Sequence, residues 1–179
     1  NIFGLFLPIV LYQAYGNSNL LIAWFISHSL GYFLIAPLGG QLMNKIGIRK
    51  CIYIGVLFRI PYFIAFYNFA DNPVLYAAIA SLALIVIRGT FWLPFQTDSA
   101  KFSSKKNRGK QFSIIFSISS LLAVIAPIIG GFLMDSWGFA VLSIVSMTVS
   151  LFSIVPFLFL PKTKESVTWT YGETFRYFF

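Results

Sequence analysis

Apolar stretches long enough to cross a membrane fill this sequence, and its charged residues are confined to the short gaps between them. Of 179 residues, 58% are hydrophobic and 10% are charged, whereas soluble domains carry about a quarter charged residues. A soluble fold of this length has too small an interior to hide so much apolar surface. The sequence therefore predicts an all-α, polytopic protein embedded in a lipid bilayer.

The apolar stretches predict six transmembrane spans. A helix needs about 20 apolar residues to cross the hydrocarbon core, and residues 20–43, 51–70, 74–95, 112–134 and 139–160 meet that length. Residues 1–15 form a shorter run that opens without an initiator Met, so we expect a fragment whose first helix lacks its beginning. The prediction is a six-helix bundle over residues 1–161. Residues 162–179 then form a cytoplasmic or interfacial linker toward a missing second half.

The basic residues alternate between the gaps in a way that indicates the topology. Of 13 Lys and Arg, 11 lie in the second gap, the fourth gap or the tail, and none lies in the other gaps. The positive-inside rule then places the second and fourth gaps and both chain ends in the cytoplasm. We expect an integral protein of the cell (inner) membrane. The net charge of +8 is explained by topology, so no nucleic-acid partner is expected.

A ten-residue segment occurs twice. Leu38-Gly-Gly-Gln-Leu-Met-Asn-Lys-Ile-Gly47 returns 91 positions later as Ile129-Gly-Gly-Phe-Leu-Met-Asp-Ser-Trp-Gly138. In the predicted topology the first copy lies at the cytoplasmic end of span 2 and the second at the outer end of span 5. Spans 1–3 and 4–6 are therefore predicted to form a 3+3 inverted repeat, related by an axis in the membrane plane.

The residues of the second gap also resemble a known signature. Gly40-Gln-Leu-Met-Asn44-Lys45-Ile-Gly47-Ile-Arg49 resembles the loop 2–3 motif of the major facilitator superfamily, Gly-x-x-x-Asp-Arg-x-Gly-Arg-Arg. It departs from that motif at Asn44, Lys45 and Ile48. In the family the basic residues of this gating loop pair with a carboxylate near the end of helix 4, and the resemblance assigns that place to Asp98.

A second motif extends the resemblance to span 5. Ala126-Pro127-Ile-Ile-Gly130-Gly131 is similar to the motif Gly-Pro-x-x-Gly-Gly of the antiporter branches. The resemblance implies the N-terminal half of a major facilitator fold, working by alternating access beside a second half. It also places Arg88 at the family's helix 4 arginine, with Trp92 where a glycine is usual.

Three ionisable residues, His28, Arg59 and Arg88, fall deep within the predicted spans. Charges at such depth are costly and usually face a cavity or a partner. None of the five Asp and Glu residues lies within a span, so the arginines indicate an anionic substrate or coupling partner. For Arg59 the alternatives are contact with the other half or snorkelling. For His28 they are a helix–helix hydrogen bond or a titrating role.

Polar residues at helical spacing are candidates for the lining of a cavity. Arg88 is expected to share a helix face with Trp92, where a cation–π contact of about 0.5–2 kcal/mol would hold it. The serines of span 5 are equally explained as interhelical hydrogen-bonding groups. The candidate lining residues are Arg88, Trp92, Gln96, His28, Tyr32, Gln13, Ser117 and Arg59.

The family resemblance and the buried charges predict a secondary active transporter of a small solute. The resemblance of the span 5 motif favours antiport or efflux, and the buried arginines favour an anionic substrate. The alternative is a self-contained six-helix scaffold or a homodimeric channel, in which a second copy replaces the missing half. The sequence contains no Gly-x-Ser-x-Gly, His-Glu-x-x-His or phosphate-binding glycine loop, so an enzyme is not expected. With one His and one Cys, neither a metal site nor a cofactor is expected.

Overall fold

The computed structural model describes residues 2–102 and 108–159 of the chain. Every regular element there is a helix, which confirms the all-α prediction. The predicted linker over 162–179 lies outside the described residues. The elements are α1 (Ile2–Tyr15), α2 (Ser18–Ile46), α3 (Ile48–Leu57), α4 (Arg59–Tyr67), α5 (Pro73–Ile87), a π-helical turn (Arg88–Trp92), α6 (Leu93–Phe102), α7 (Arg108–Phe152) and α8 (Val155–Phe159).

Four helical stretches among these residues are long and apolar enough to cross a membrane. They are Leu21–Ile46, Ile48–Tyr67, Pro73–Thr97 and Ser113–Phe159, while the apolar part of α1, Phe6–Tyr15, is shorter. The last stretch has 47 residues, and non-helical angles at Gly138 divide it. The count of six crossings stays a prediction.

Asparagines begin α2 and α5 where the sequence predicts the first and third turns. The side chain of Asn17 accepts a hydrogen bond from the amide of Asn19 at 2.8 Å. Asn72 accepts one from the amide of Leu75 at 3.2 Å, and Pro73 occupies the first helical position. Such caps satisfy amides that have no partner in the first turn of a helix.

Two glycines that the repeat aligns, Gly47 and Gly138, break the helix in the same way. Gly47, between α2 and α3, has φ 87° and ψ 157°. Gly138, within α7, has φ 78° and ψ 175°. Side chains are strongly disfavoured at such angles, which glycine adopts readily. Each copy of the repeated segment therefore ends on a glycine that redirects the chain into the next helical segment.

The segments that follow these two glycines lie side by side and run in opposite directions. Phe66, near the end of α4, contacts Phe139 with ring centroids 6.1 Å apart. At the other end, Ile48 of α3 shares a buried cluster with Phe157 of α8. Phe157 is the equivalent of Phe66 at the repeat offset, and Phe139 is the equivalent of Ile48. The Phe66–Phe139 contact and the cluster shared by Ile48 and Phe157 are therefore related by the repeat offset.

Midway between these contacts, Arg59 donates from Nη1 to the backbone carbonyl of Ser150 at 2.8 Å, across 91 positions of sequence. That separation equals the repeat offset, so Arg59 contacts its own equivalent. Residues beside a two-fold axis contact their own equivalents. A pseudo-two-fold axis beside Arg59 would produce such a contact, which supports the inverted repeat, and that repeat stays a prediction.

Each predicted span contains one proline, and helix interruptions accompany three of these six prolines. Phe58 separates α3 from α4, the π turn separates α5 from α6, and a turn at residues 153–154 separates α7 from α8. A proline follows each interruption within three residues, and these prolines are, in the same order, Pro61, Pro94 and Pro156. Proline lacks an amide hydrogen and its ring clashes with the carbonyl four residues earlier, so the preceding turn opens. Pro8, Pro37 and Pro127 lie inside continuous helices.

Glycines allow close packing of α2 and α3 around the π turn. A Cβ atom added to Gly39 of α2 would overlap the backbone carbonyl oxygen of Gly89. From the other side, a Cβ on Gly55 of α3 would lie 2.6 Å from the Cβ of Phe91. Membrane bundles use small residues for such close approach. The backbone next to Arg88 is therefore held between two helices.

Candidate functional site

Arg88, the first residue of the π turn, lies half-buried beside α2. Its guanidinium carbon is 5.9 Å from the centre of the Tyr32 ring. A cation–π contact of this kind orients a guanidinium but leaves its charge in place. All five acidic residues of the chain lie outside the predicted spans. The Arg88 charge is therefore oriented and has no carboxylate in its span to neutralise it.

The predicted Arg88–Trp92 contact is wrong, because the ring beneath the guanidinium is that of Tyr32. Trp92 is 48% exposed, and its ring contacts those of Phe91 and Phe95 at 5.8 Å and 6.1 Å. Gln96 is also exposed. The π turn therefore presents Arg88 toward α2 and leaves the Trp92 ring on the exposed side.

His28 is buried, with 2% of its surface exposed. Its Nδ1 lies 3.0 Å from the carbonyl oxygen of Trp24, one turn earlier in α2. A carbonyl only accepts, so Nδ1 carries the hydrogen and the neutral imidazole keeps its lone pair on Nε2. The ring packs against Trp24 at 4.6 Å between centroids and against Phe25 at 5.6 Å. The hydrogen bond lies within α2 and does not join two helices.

His28 and Arg88 border the same contact between helices. Tyr32, which contacts Arg88, lies one turn beyond His28 on the same face of α2. Tyr32 therefore connects the face of α2 that carries His28 to the guanidinium of Arg88.

A groove of about 570 Å³ runs between α2 and α5. Trp24, Ser27, Ser81 and Ile85 contribute to its lining, and the Trp24 ring contacts that of His28. The Oγ of Ser81 is buried without a hydrogen-bond partner among the described residues, which is rare for a buried polar atom. The side chain of Ile85 also packs against Gly31, where an added Cβ would overlap it. The groove, His28, Tyr32 and Arg88 are called the α2–α5 site below.

Arg59 is satisfied by the protein itself. Nη1 donates to the Ser150 carbonyl at 2.8 Å and to the Ser153 hydroxyl at 2.7 Å. Its guanidinium carbon lies 4.2 Å from the centre of the Phe91 ring, in the π turn. The Arg59 side chain follows the break at Phe58 and contacts both other helix interruptions, the π turn and the turn at residues 153–154. These contacts favour a structural role over the cavity role that the sequence left open.

The gating-loop residues surround the Gly47 break. Gly40 is buried, Asn44 and Lys45 are exposed, and Arg49 is half-buried. The side chain of Asp98 lies outside the described part of the structure. Its predicted pairing with the basic residues of the loop stays a prediction.

The span 5 candidates lie mostly on an open surface. Residues 113–125 of α7 are all exposed, Ser117 included, and so is Gln13 of α1. Among the described residues no contact joins Gln13 or Ser117 to Arg88. In the span 5 motif, Gly130 is buried, Pro127 is half-buried, and an added Cβ on Gly131 would meet Phe6 at 3.9 Å. Gly131 is therefore packed less tightly than Gly39 of the first copy.

Sequence reasoning missed two parts of the α2–α5 site. Trp24 lies one turn before His28, and its Nε1 donates to the Ala77 carbonyl at 3.1 Å, which joins α2 to α5. Trp24 could have been predicted from the sequence, because it lies four residues before His28 and therefore on the same helix face. Ser81 lies among apolar residues of α5, and nothing in the surrounding sequence indicates a binding role for it.

An all-helical chain with several membrane-length apolar helices and an internal repeat is a polytopic integral membrane protein. The family model described as Major Facilitator Superfamily matches residues 1–176. The chain belongs to this superfamily of membrane transporters. Comparisons with curated proteins and with solved structures return no match.

Proposed function

We propose that the protein is a secondary active transporter that moves a small anionic solute by alternating access, with Arg88 as the anion-binding residue. The observation that carries this proposal is the environment of Arg88. The guanidinium is half-buried in a membrane-length stretch, lies over Tyr32, and has no acidic residue in its span. A charge at that depth needs a partner or a cavity. An anionic substrate supplies the missing charge.

The family resemblance supports alternating access. In this fold a six-helix half rocks against a second half, and the substrate binds between them. The motif at Pro127, Gly130 and Gly131 resembles that of antiporters, and we therefore propose exchange or efflux as the mode of transport. In exchange, a second solute crosses the membrane in the opposite direction through the same site.

The proposed setting is the inner cell membrane, with the gaps around Lys45 and Lys110 in the cytoplasm. The exposed residues 113–125 of α7 are proposed to pack against a second transporter half or a second copy. A self-contained scaffold is the competing possibility, and it predicts no solute transport at all.

The test is uptake by the full-length protein in proteoliposomes. Radiolabelled methanesulfonate, benzenesulfonate, succinate and inorganic phosphate are offered separately, and Arg88→Gln is compared with wild type. We expect uptake of at least one anion, with loss of about 100-fold in Arg88→Gln, or roughly 2.7 kcal/mol. Lys110→Gln is the control, because it removes the same charge from an exposed position. Uptake by Arg88→Gln equal to that of wild type overturns the proposal.

A further inference from the structure

We propose that the groove between α2 and α5 binds the apolar body of the transported anion while Arg88 binds its charged end. The substrate class is therefore an amphipathic organic anion whose body carries a hydrogen-bond acceptor. The proposal rests on the function proposed above and adds the class of substrate to it. Its basis is the alignment of a free hydroxyl, an apolar groove and an oriented guanidinium along one face of α5.

Ser81, Ile85 and Arg88 follow one another along the side of α5 that packs on α2. Spacings of four and seven residues place side chains on one face of a helix, and Ser81 and Ile85 both line the groove. The Ile85 side chain fills the space left at Gly31 by the missing Cβ. The guanidinium carbon of Arg88 lies 5.9 Å from the ring centre of Tyr32, the residue after Gly31. The groove and the guanidinium therefore lie along the same contact between the two helices.

The Arg88 side chain is directed toward the groove by the geometry of the helix. Arg88 has helical angles, φ −63° and ψ −43°, and its amide donates to the carbonyl of Ile85. Long side chains on a helix lean toward its N-terminus, over the preceding turn. That turn contains Ile85, where the groove ends on α5. An anion held by Arg88 therefore lies next to the end of the groove.

Ser81 provides the groove with one free hydrogen-bond donor. The other side-chain donors of the lining are Tyr15, Trp24 and Ser27, and each donates to a backbone carbonyl. The Oγ of Ser81 is buried and has no partner among the described residues, and the residue is only 8% exposed. An unpaired buried hydroxyl costs free energy that an acceptor on a ligand restores. The free donor therefore predicts an acceptor atom on the body of the substrate.

The size and lining of the groove fit an aromatic body. Its volume is about 570 Å³, and a cavity of about 150 Å³ is enough for a benzene ring. Apart from the donors, its lining is aliphatic and consists of Ala23, Val74, Ala77, Ala78, Leu82 and Ile85. Ser81 lies four residues before Ile85, roughly 6 Å along the helix axis. This length matches a benzene ring with a substituent opposite the anionic group.

The experiment compares sulfonates that share one charged group and differ in the body attached to it. Full-length protein is reconstituted in proteoliposomes, and half-saturating concentrations are measured for radiolabelled methanesulfonate and benzenesulfonate, with flux into protein-free liposomes subtracted. Ala78 is exposed and lines the groove, so Ala78→Phe fills the groove without adding bulk to the core. Ile79→Phe is the matched control, because Ile79 is exposed next to Ala78 and is not among the residues that line the groove.

We expect benzenesulfonate to half-saturate wild type at a concentration at least about tenfold below that of methanesulfonate, because its ring leaves water. In Ala78→Phe the preference for benzenesulfonate should disappear, while methanesulfonate uptake stays at the wild-type level. Retained methanesulfonate uptake shows that the variant is folded and that Arg88 still binds the charge. Ile79→Phe should keep the preference of wild type.

A second pair of probes tests Ser81. The ether oxygen of 4-methoxybenzenesulfonate accepts a hydrogen bond, and 4-ethylbenzenesulfonate has nearly the same shape without that oxygen. Wild type should bind the methoxy compound about fivefold more tightly, and Ser81→Ala should abolish this preference. Because no described residue pairs with the Ser81 hydroxyl, its removal should leave the stability of the protein unchanged.

Equal half-saturating concentrations of methanesulfonate and benzenesulfonate in wild type, or a preference retained in Ala78→Phe, overturn the proposal. Either result is expected if a lipid chain occupies the groove, and both leave Arg88 as the anion site. An unchanged methoxy preference in Ser81→Ala overturns the proposal as well, whether or not Ala78→Phe folds. Uptake of succinate or phosphate without either sulfonate overturns it too, while the function proposed above stands. Absence of all anion uptake in wild type, or unchanged uptake in Arg88→Gln, overturns both proposals.

Discussion

Among single residues, Gly47 and Gly138 are constrained by backbone angles alone. No atom lies within 4 Å of a Cβ added to either residue, although both have positive φ. Alanine at each position should therefore cost about 1–3 kcal/mol through backbone strain. The free energy of unfolding in detergent, measured by denaturant titration, should fall by similar amounts in Gly47→Ala and Gly138→Ala.

Gly109 provides the matched control for this pair. An added Cβ there also meets nothing within 4 Å, and its φ is not positive. Gly109→Ala should leave stability unchanged or raise it by up to about 1 kcal/mol, because alanine is the better helix former. If Gly47→Ala and Gly138→Ala are as stable as Gly109→Ala and wild type, a side chain is tolerated at both helix breaks. The two breaks then do not depend on glycine.

The two arginines show what sequence can and cannot predict about single residues. Counting along the chain places both Arg59 and Arg88 deep in the membrane, and both are found within membrane-length helices. Their partners depend on neighbours remote in sequence. Arg59 meets a carbonyl 91 residues away, whereas Arg88 meets an aromatic ring on α2. No local pattern around either arginine distinguishes these two environments.

The packing of α2 on the π turn makes a prediction about helix position. A Cβ at Gly39 overlaps the Gly89 carbonyl, so Gly39→Ala must move one backbone away from the other. Overpacking of this kind costs about 1–3 kcal/mol, and it displaces Arg88 from Tyr32. We expect lower stability together with weaker anion uptake, measured per folded molecule in proteoliposomes.

Gly131→Ala is the comparison from the other copy of the repeated segment. Its added Cβ would meet Phe6 at 3.9 Å, an ordinary van der Waals distance. This variant should match wild type in both stability and uptake. Equal effects from the two substitutions would show that close α2 packing does not position Arg88.

At the scale of helices, turns were easier to predict than interruptions within spans. Asn17 and Asn72 cap helices in the predicted gaps because their side chains satisfy amides locally. The π turn at residues 88–92 was not predicted, and in it Arg88 contacts Tyr32 while Trp92 is exposed. Six prolines were visible, but only three accompany breaks. Which of them interrupt a helix depends on packing against neighbouring helices.

For the whole molecule, the repeat together with the alternation of basic and uncharged gaps predicted an inverted pair. Which residues of the two repeat units meet was not predictable, because it depends on tertiary packing. The structure shows Phe66 against Phe139 and Arg59 against Ser150. These contacts support an inverted pair centred near the middle of the span formed by α3 and α4.

The most direct test of the inverted repeat compares the two sides of the membrane. Asn44 and Asp135 are aligned by the repeat and are both exposed, and the single native cysteine, Cys51, is buried. In a Cys51→Ala background, cysteine is placed at position 44 or at position 135, and intact cells are treated with a membrane-impermeant maleimide. The inverted repeat predicts labelling at 135 in intact cells and at 44 only after permeabilisation. Labelling of both positions from the same side would contradict it.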